Sequence, residues 1–379
     1  MIDRILAKKI TKHLDDNKAI VVLGARQIGK TTLFEQLSNN KTNVLWLNAD
    51  NLETRNLFDQ ITVNRLKTII GDSKYIIIDE AQRIDDIGIK LKLITDQIKS
   101  VKLLVTGSSS LELANYIVEP LTGRKWEYKM YPLSFNEMVD HHGFWRESKL
   151  LEQRMIYGYY PDVVTSENEK EAIINNLASD YLYKDILSWG KIKKSEKLST
   201  LLKALAFQIG NEVSFNELSR IVGLDKETIE KYINLLEQTF VIFRLKSFSR
   251  NQRNELKKSK KFYFYDLGIR NALISNFNPF VFRNDIGVLW ENFIIVERMK
   301  YVDYNEIYSN KYFWRTKTQQ EIDYIEERGG KLFAYEFKWS KNKKAKIPKT
   351  FMNAYPDSET MIVTQDNYDV FLGITPDKN

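Results

Sequence analysis

The first 140 residues of the chain alternate short apolar runs with segments of helical periodicity. The apolar runs cover residues 19–23, 44–47, 75–78 and 101–105. Continuous apolar runs of this length are typical of strands that are buried on both faces, and strands that alternate with helices form parallel sheets. The pattern therefore predicts an α/β domain with a parallel sheet over residues 1–140.

The pattern changes after residue 140, where helical periodicity extends through residues 141–207. Residues 208–262 then resemble a winged helix, with two helical segments separated by a turn at Gly223 and followed by an apolar strand at 240–245. Residues 263–379 are predicted to form a mixed α/β domain. Its expected elements are a helix over 287–300 and strands over 262–265, 312–315, 322–325 and 332–338. The expected fold class is thus α/β, with a helical linker and a winged-helix-like segment between two α/β domains.

Composition restricts the chemistry that this chain can perform. Its 379 residues include no cysteine and three histidines, which excludes disulfides, thiolate zinc sites and a cysteine nucleophile. Any bound metal is therefore expected to be a hard cation with oxygen ligands. The first 18 residues carry charges throughout, and no apolar run approaches the length of a membrane span, so we expect a cytoplasmic protein without a membrane partner.

The net charge of +7 is concentrated in two stretches. Residues 250–261 hold six basic side chains and one acid, and residues 338–349 hold six lysines and no acid. One interpretation is two solvated loops. The other is a surface that follows the phosphates of a nucleic acid such as DNA.

The run 19–23 leads into Gly-Ala-Arg-Gln-Ile-Gly-Lys-Thr at residues 24–31, and a helical segment follows. This is the phosphate-binding loop G-x-x-x-x-G-K-[ST] in its strand–loop–helix context, so the predicted parallel sheet is of the P-loop NTPase type. Backbone amides of such a loop converge on phosphate oxygens, and the helix dipole adds positive potential. We expect Lys30 to reach the β- and γ-phosphates of ATP, and the Thr31 hydroxyl to bind Mg²⁺. The residues expected to bind the nucleotide in this loop are Gly24, Ala25, Arg26, Gln27, Ile28, Gly29, Lys30, Thr31 and Thr32.

Acidic and hydroxyl residues follow two other predicted strands. Asp79 and Glu80 come directly after 75–78, at the carboxyl end of a strand, where α/β sheets bind ligands. We expect Asp79 to bind Mg²⁺ and Glu80 to orient or deprotonate the attacking water. After 101–105, the hydroxyls of Thr106 and Ser108 are candidates for sensing the γ-phosphate, with a helix cap as the alternative.

Arg124 is a candidate for stabilising charge on the γ-phosphoryl group. It could act in its own chain or on a neighbouring copy in a homo-oligomer. The alternative is an ordinary surface arginine.

These motifs together resemble the AAA-like prokaryotic ATPases that carry a C-terminal domain of unknown function. The resemblance rests on residues 24–31, 79–82, 106–109, 123–124 and 131–137, and continues through 157–161 and 183–185. It implies ATP binding with Mg²⁺ as cofactor.

The predicted helix 225–238 carries four acids and two lysines, which is a poor match to phosphates. A structural or oligomerisation role is therefore favoured over reading of a DNA groove. The segment that follows, with Arg250 and Arg253, is the better candidate for contact with nucleic acid.

A second group of charged residues lies near the C-terminus. Glu291 is on the apolar stripe of the predicted helix 287–300, where a carboxylate is costly without a partner. Gly329-Gly330 indicates a two-residue hairpin. If Arg328 pairs with Lys331, Asp323 faces Glu336. Like charges that oppose each other destabilise a hairpin, and a bound Mg²⁺ would reverse this effect. The alternative is an exposed hairpin of mixed charges or a register shifted by one residue.

This arrangement resembles the PD-(D/E)XK nuclease core. The resemblance implies Glu291, Asp323 and Glu336 as metal ligands and Lys338 as the catalytic lysine, in a domain that cleaves DNA or only binds it. We therefore expect an ATPase coupled to a nuclease-like domain associated with nucleic acid. The alternative is a nucleotide-gated protein-interaction module whose nuclease-like domain is inactive.

Overall fold

The computed structural model describes residues 2–59, 61–107, 121–181, 195–248, 260–340 and 346–374. The chain divides into two compact units. The first unit is Met1–Leu133 with Gln238–Phe240, and the second is Ser134–Glu237 with Val241–Asn379. Within the described ranges, no helix is long and apolar enough to cross a membrane.

The first unit contains a parallel sheet, the first sheet, with the strand order β2-β3-β4-β1-β5 among the described residues. The strands are β1 (Ala19–Gly24), β2 (Val44–Asn48), β3 (Tyr75–Asp79), β4 (Lys102–Gly107) and β5 (Lys125–Met130). The helices are Ile5–Thr11, Lys30–Ser38, Leu52–Leu57, Val63–Ile70 and Ile87–Gln97, with a 3₁₀ turn at Ala81–Arg83. The predicted parallel sheet is confirmed.

The central and edge strands of the first sheet differ in burial. Every residue of β1 and β4 is buried, as expected for central strands with helices on both faces. The edge strand β5 was not predicted, because its sequence Lys-Trp-Glu-Tyr-Lys-Met alternates polar and apolar residues and most of its residues are partly exposed.

The second unit begins with helices. Those of the described residues are Phe135–His142, Phe144–Lys149, Leu151–Tyr157, Pro161–Thr165, Lys170–Asn176, Ser195–Phe207, Phe215–Val222, Lys226–Gln238, Leu267–Leu273, Ile286–Tyr304, Lys349–Ala354 and Tyr368–Phe371, with a π-turn at Leu177–Tyr181 and a 3₁₀ turn at Phe280–Phe282. The helix Phe135–His142 starts with a capping box, in which Ser134 and Glu137 bind each other's backbone amides. The predicted helices 195–207, 225–238 and 287–300 are confirmed.

A mixed sheet, the second sheet, has the order β12-β11-β10-β9-β7-β8-β6 in the part of the chain that is described. Its strands are β6 (Glu212–Val213), β7 (Ile242–Ser247), β8 (Lys260–Phe264), β9 (Asn310–Arg315), β10 (Glu321–Arg328), β11 (Lys331–Phe337) and β12 (Glu359–Val363). The predicted mixed α/β architecture of the C-terminal part is confirmed.

The hairpin of β10 and β11 has the predicted register. Arg328 pairs with Lys331, and the ladder continues to Tyr324 opposite Tyr335. Both Gly329 and Gly330 have positive φ, as a two-residue hairpin turn requires. The alternative of a register shifted by one residue is therefore wrong.

The segment predicted to be winged-helix-like does not have a sheet of its own. The predicted order of helix, turn at Gly223, helix and strand is present, but β7 pairs with β8 and, in parallel, with β9. The first two-thirds of the second unit and its C-terminal third thus share one sheet. The domain boundaries at residues 140, 207 and 262 stay predictions.

A buried ion pair connects the long helix Ile286–Tyr304 to the second sheet. Glu326 on β10 is fully buried, and its two oxygens accept hydrogen bonds from Arg298 Nε at 2.8 Å and Nη2 at 3.1 Å. Removal of one partner of such a pair leaves an uncompensated buried charge.

We therefore expect Arg298→Met to lower the free energy of unfolding by about 3 kcal/mol, measured by urea denaturation. The control is Lys331→Met, which breaks the exposed pair between Lys331 and Glu359 and should cost about 1 kcal/mol or less. Equal costs for the two variants would contradict the structural role of the buried pair.

Candidate functional site

The loop after β1 has the backbone conformation of a phosphate-binding loop. Gln27 and Gly29 have φ values of 60° and 90°, so the chain turns through the left-handed region twice. A Cβ atom on Gly24 would lie 2.3 Å from the Met130 carbonyl oxygen on β5, which only glycine avoids. The loop thus passes against the end of β5, and its shape depends on that strand.

The other predicted residues of this loop divide between the core and the surface. Ala25 and Ile28 are buried, Arg26 is half-buried, and Gln27 and Thr32 are exposed. The buried Lys30 donates hydrogen bonds to the carbonyl oxygens of Gly24 at 3.1 Å and Ala25 at 2.7 Å. Its ammonium group therefore lies over the first half of the loop.

Asp79, the last residue of β3, connects the carboxyl ends of three strands of the first sheet. Its Oδ2 accepts a hydrogen bond from Thr31 Oγ1 at 2.8 Å, and its Oδ1 accepts from Thr106 Oγ1 and from the Glu80 amide. The strand order places β3, β4 and β1 side by side, so their carboxyl ends meet. The structure thus brings together Thr31, Asp79, Glu80 and Thr106.

Glu80 follows Asp79 with a φ of 52°, a left-handed conformation that is uncommon for a residue with a side chain. Its amide also donates to Thr106 Oγ1 at 3.1 Å, and its carboxylate accepts a hydrogen bond from Gln82. Strained backbone is commonly retained at functional sites, which supports a role for this carboxylate.

The donor set at this end of the sheet is suitable for a nucleotide with Mg²⁺. The Thr31 hydroxyl and the Asp79 carboxylate are oxygen ligands 2.8 Å apart, and Mg²⁺ prefers oxygen ligands. The cradle of backbone amides after Gly24 and the Lys30 ammonium suit phosphate groups. The residues that would hold Mg²⁺ are therefore Thr31 and Asp79.

Two further predicted residues do not join this group. Ser108 lies outside the described residues. Arg124 binds Asp96 Oδ1 through Nε at 2.6 Å, and its carbonyl oxygen accepts the amide of Ala19, the first residue of β1. Arg124 therefore lies at the amino end of β1, whereas the phosphate-binding loop follows its carboxyl end. A role in its own chain is not supported, and a role on a neighbouring copy stays a prediction.

Sequence reasoning missed Arg4, which contacts the loop. Arg4 is 6% exposed and donates hydrogen bonds to the carbonyl oxygens of Ile28 at 2.7 Å and Tyr131 at 2.6 Å. A basic residue before a short amphipathic helix has no distinctive local pattern, so no signal in the sequence pointed to it.

The predicted acids of the second unit surround a buried lysine that was also missed. Lys261 on β8 is 3% exposed, and its Nζ lies 3.2 Å from Glu291 Oε1 and also contacts Glu321. Tyr263, two residues further on the same strand face, donates to Glu291 Oε1 at 2.7 Å. The partner that Glu291 requires on an apolar helix is therefore Lys261 together with Tyr263.

Asp323 and Glu336 lie beside this group. Asp323 Oδ2 accepts the amide of Phe337 at 2.8 Å, and Glu336 Oε1 accepts from Lys338 Nζ at 2.6 Å. Burial raises the pKa of Asp323 well above its ordinary value, and the charges of Glu291 and Glu336 raise it further. Burial also raises the pKa of Glu336, which the Lys338 ammonium opposes.

The predicted metal-ligand set is near but not in place. Within the described ranges, no group of three or more histidine, aspartate or glutamate side chains is arranged to hold a metal ion. Instead, the ammonium group of Lys261 binds Glu291 and Glu321, and that of Lys338 binds Glu336. Burial alone would lower the pKa of Lys261, but the charges of Glu291, Glu321 and Asp323 raise it, so this lysine stays protonated.

The two basic stretches lie largely outside the described residues. Of the first, residues 250–259 are outside, so Arg250 and Arg253 have no described position. Of the second, residues 341–345 are outside. Lys346 and Lys349 are exposed, and Lys338 is half-buried. The proposed contact with nucleic acid stays a prediction.

We expect Lys261→Met to lower the free energy of unfolding by about 3 kcal/mol, because it removes the cation shared by Glu291 and Glu321. The control Lys260→Met changes the neighbouring residue, which is 4.0 Å from the half-exposed Glu230 and should cost about 1 kcal/mol or less. Millimolar Mn²⁺ should raise the melting temperature of Lys261→Met more than that of the wild type. A Lys261→Met variant as stable as the Lys260→Met control would contradict this assignment.

Three family models match successive parts of this chain. An AAA domain model matches residues 16–139, a domain of unknown function (DUF8612) matches 148–279, and a second domain of unknown function (DUF4143) matches 286–375. The first match covers the phosphate-binding loop and Asp79.

Relatives that align over most of this chain are themselves uncharacterized proteins. A protein of Haemophilus influenzae is 24% identical over 349 residues, which covers 84% of each chain. A protein of Mycobacterium tuberculosis is 23% identical over 340 residues, covering 88% of this chain and 73% of the relative. Among solved structures, a Walker-type ATPase of Pyrococcus abyssi aligns with a TM-score of 0.49 and 15% identity, over 72% of this chain and 96% of that one. Residues 16–139 thus match an AAA domain, and residues 286–375 match a DUF4143 domain.

Proposed function

We propose that the protein binds ATP with Mg²⁺ and hydrolyses it at the loop after β1. The observation that carries this proposal is the hydrogen-bonded group of Thr31, Asp79 and Thr106, which joins three strand ends beside Lys30. A chance match to the loop motif would not require these partners at the neighbouring strands. When bound, Mg²⁺ would neutralise phosphate charge.

Each residue of the group has a distinct part in the proposed reaction. The loop amides and Lys30 bind the phosphates, and Thr31 and Asp79 supply oxygen ligands for the cation. The Glu80 carboxylate accepts a hydrogen bond from Gln82, and the Glu80 backbone amide donates one to Thr106 Oγ1. These contacts orient the carboxylate to accept a proton from water. Thr106 lies on β4 and accepts a hydrogen bond from the amide of Glu80, so it positions the proposed base.

Two substitutions separate nucleotide binding from turnover. Lys30→Ala should abolish binding of ATP, measured by calorimetry, because the phosphates lose their cation. Glu80→Gln should retain binding but lower the rate of phosphate release about 10²–10⁴-fold, as loss of a general base does. The control Glu127→Gln changes a carboxylate on the edge strand β5, where Glu127 pairs with Lys125, and should leave both unchanged. Unchanged turnover in Glu80→Gln would remove this residue from the mechanism.

A second candidate function is association of the C-terminal domain with nucleic acid. It is favoured by the six lysines of residues 338–349, which begin at the lysine that pairs with Glu336. Clusters of lysine without acids bind phosphates through electrostatic attraction and release of counterions. Because the carboxylates of this domain are not arranged as metal ligands, we derive no cleavage step.

Charge reversal in this stretch tests the second function. The double variant Lys346→Glu with Lys349→Glu should weaken binding of duplex DNA at least tenfold at low salt and reduce the slope of affinity against salt concentration. The control reverses two exposed lysines of the first unit, Lys67→Glu with Lys99→Glu, and has the same net charge. Equal affinities of the two double variants would contradict a specific surface.

Measurements of DNA cleavage and of ATP-dependent assembly distinguish the alternative function. Supercoiled and branched DNA with Mg²⁺ or Mn²⁺ reports cleavage, and nicking that survives Glu336→Ala would not arise from the predicted site. Assembly that depends on ATP without any affinity for DNA would favour the nucleotide-gated interaction module.

A further inference from the structure

Arg4 is a buried cation that contacts the backbone of the phosphate-binding loop. It lies at the start of the helix Ile5–Thr11, and its two terminal nitrogens donate to two main-chain carbonyls, those of Ile28 and Tyr131. The planar guanidinium group presents donors in a fixed fork, so it holds both carbonyls at once.

The contact with Ile28 sets the direction of the next amide. A peptide bond is planar and trans, so the carbonyl of Ile28 and the N–H of Gly29 point in opposite directions. Because the carbonyl oxygen is held 2.7 Å from Arg4, the Gly29 N–H is directed away from Arg4. Gly29 precedes the helix Lys30–Ser38, whose first amides are also available to an anion.

We propose that Arg4 is a positioning residue that aims the Gly29 amide at the phosphates and ties the loop to the segment 131–135. The inference rests on the proposed nucleotide binding. Without Arg4, the plane of the Ile28–Gly29 peptide can adopt other orientations. Part of the free energy of phosphate binding is then used to order it.

The second contact places the segment 131–135 between two charged side chains. Its first carbonyl, that of Tyr131, accepts from Arg4 at 2.6 Å. At its other end, the Phe135 amide donates to Glu297 Oε2 at 2.7 Å, and Glu297 lies on the helix Ile286–Tyr304 that also carries Glu291. We therefore expect a change in the loop that moves Arg4 to reach the Tyr131 carbonyl, so that amides of residues 131–135 report nucleotide binding.

The test measures binding of ADP and of inorganic tripolyphosphate to the full chain by calorimetry. Arg4→Met should weaken both ligands about 10- to 100-fold, the effect of losing a charge-assisted hydrogen bond. Arg4→Lys keeps the charge but not the fork, so it should recover part of the affinity. Millimolar guanidinium should restore binding to Arg4→Met, which a variant that merely misfolds would not show.

The matched control is Arg65→Met, because Arg65 also donates to two main-chain carbonyls, those of Asp59 at 3.0 Å and Asn56 at 3.4 Å, but is exposed and distant in sequence from the loop. It should bind both ligands as the wild type does. Amide hydrogen exchange tests the link to the segment 131–135. A saturating concentration of ADP should slow exchange of these residues in the wild type but not in Arg4→Met.

The outcomes separate this inference from the proposed function. Wild-type affinity in Arg4→Met, or a loss for ADP without a loss for tripolyphosphate, would overturn the inference and leave the ATPase proposal intact. If nucleotide does not change the rate of amide hydrogen exchange at residues 131–135 in the wild type, the proposed link between the loop and this segment is wrong. A wild-type chain that binds neither ligand would overturn the proposed function, and the inference with it.

Discussion

The nucleotide site depends on the hydrogen bonds of a single carboxylate, that of Asp79. Its two oxygens accept hydrogen bonds from Thr31, which follows β1, from Thr106 near the end of β4, and from the amide of Glu80, which follows β3. This is possible only because the strand order β3-β4-β1 brings the carboxyl ends of these strands to one edge. The geometry of the loop is thus inseparable from the topology of the sheet, and an insertion that moved β4 would break the hydrogen bonds of Thr106 with Asp79 and Glu80.

The carboxylates of the two candidate sites have different kinds of hydrogen-bond partners. The Asp79 carboxylate accepts hydrogen bonds from the hydroxyls of Thr31 and Thr106 and from the Glu80 amide, which are neutral donors. In the second unit, lysines neutralise the acids: Lys261 binds Glu291 and Glu321, and Lys338 binds Glu336. A tethered ammonium group competes with a free cation for the same oxygens. The sequence pattern of the second unit is similar to that of a metal site. Its carboxylates, however, are paired with lysine ammonium groups.

Local patterns explain what could be predicted from the sequence. The phosphate-binding loop and the hairpin register follow from glycine positions and from apolar runs, which act over a few residues. Arg4 and Lys261 could not be found in this way, because their roles depend on residues more than 20 positions distant. For Lys261, a signal was available in retrospect. Lys261 lies directly before the predicted strand 262–265 and two residues before Tyr263, so an extension of that strand by one residue puts the two side chains on one face. In the sequence, Lys261 instead counts as part of the basic stretch 250–261.

The second sheet also determines whether the segments 148–279 and 286–375 can be separated from each other. Strands β7 and β8 lie within residues 148–279, whereas β9 to β12 lie within 286–375, and β7 pairs with β9 at Lys246 and Ser247. A gene fragment that begins at residue 286 would encode a sheet with a new open edge and without the ammonium group that Glu291 requires. The two segments must therefore be inherited together. A recombination event between them would expose the edge of β9, which is a template for pairing with another chain.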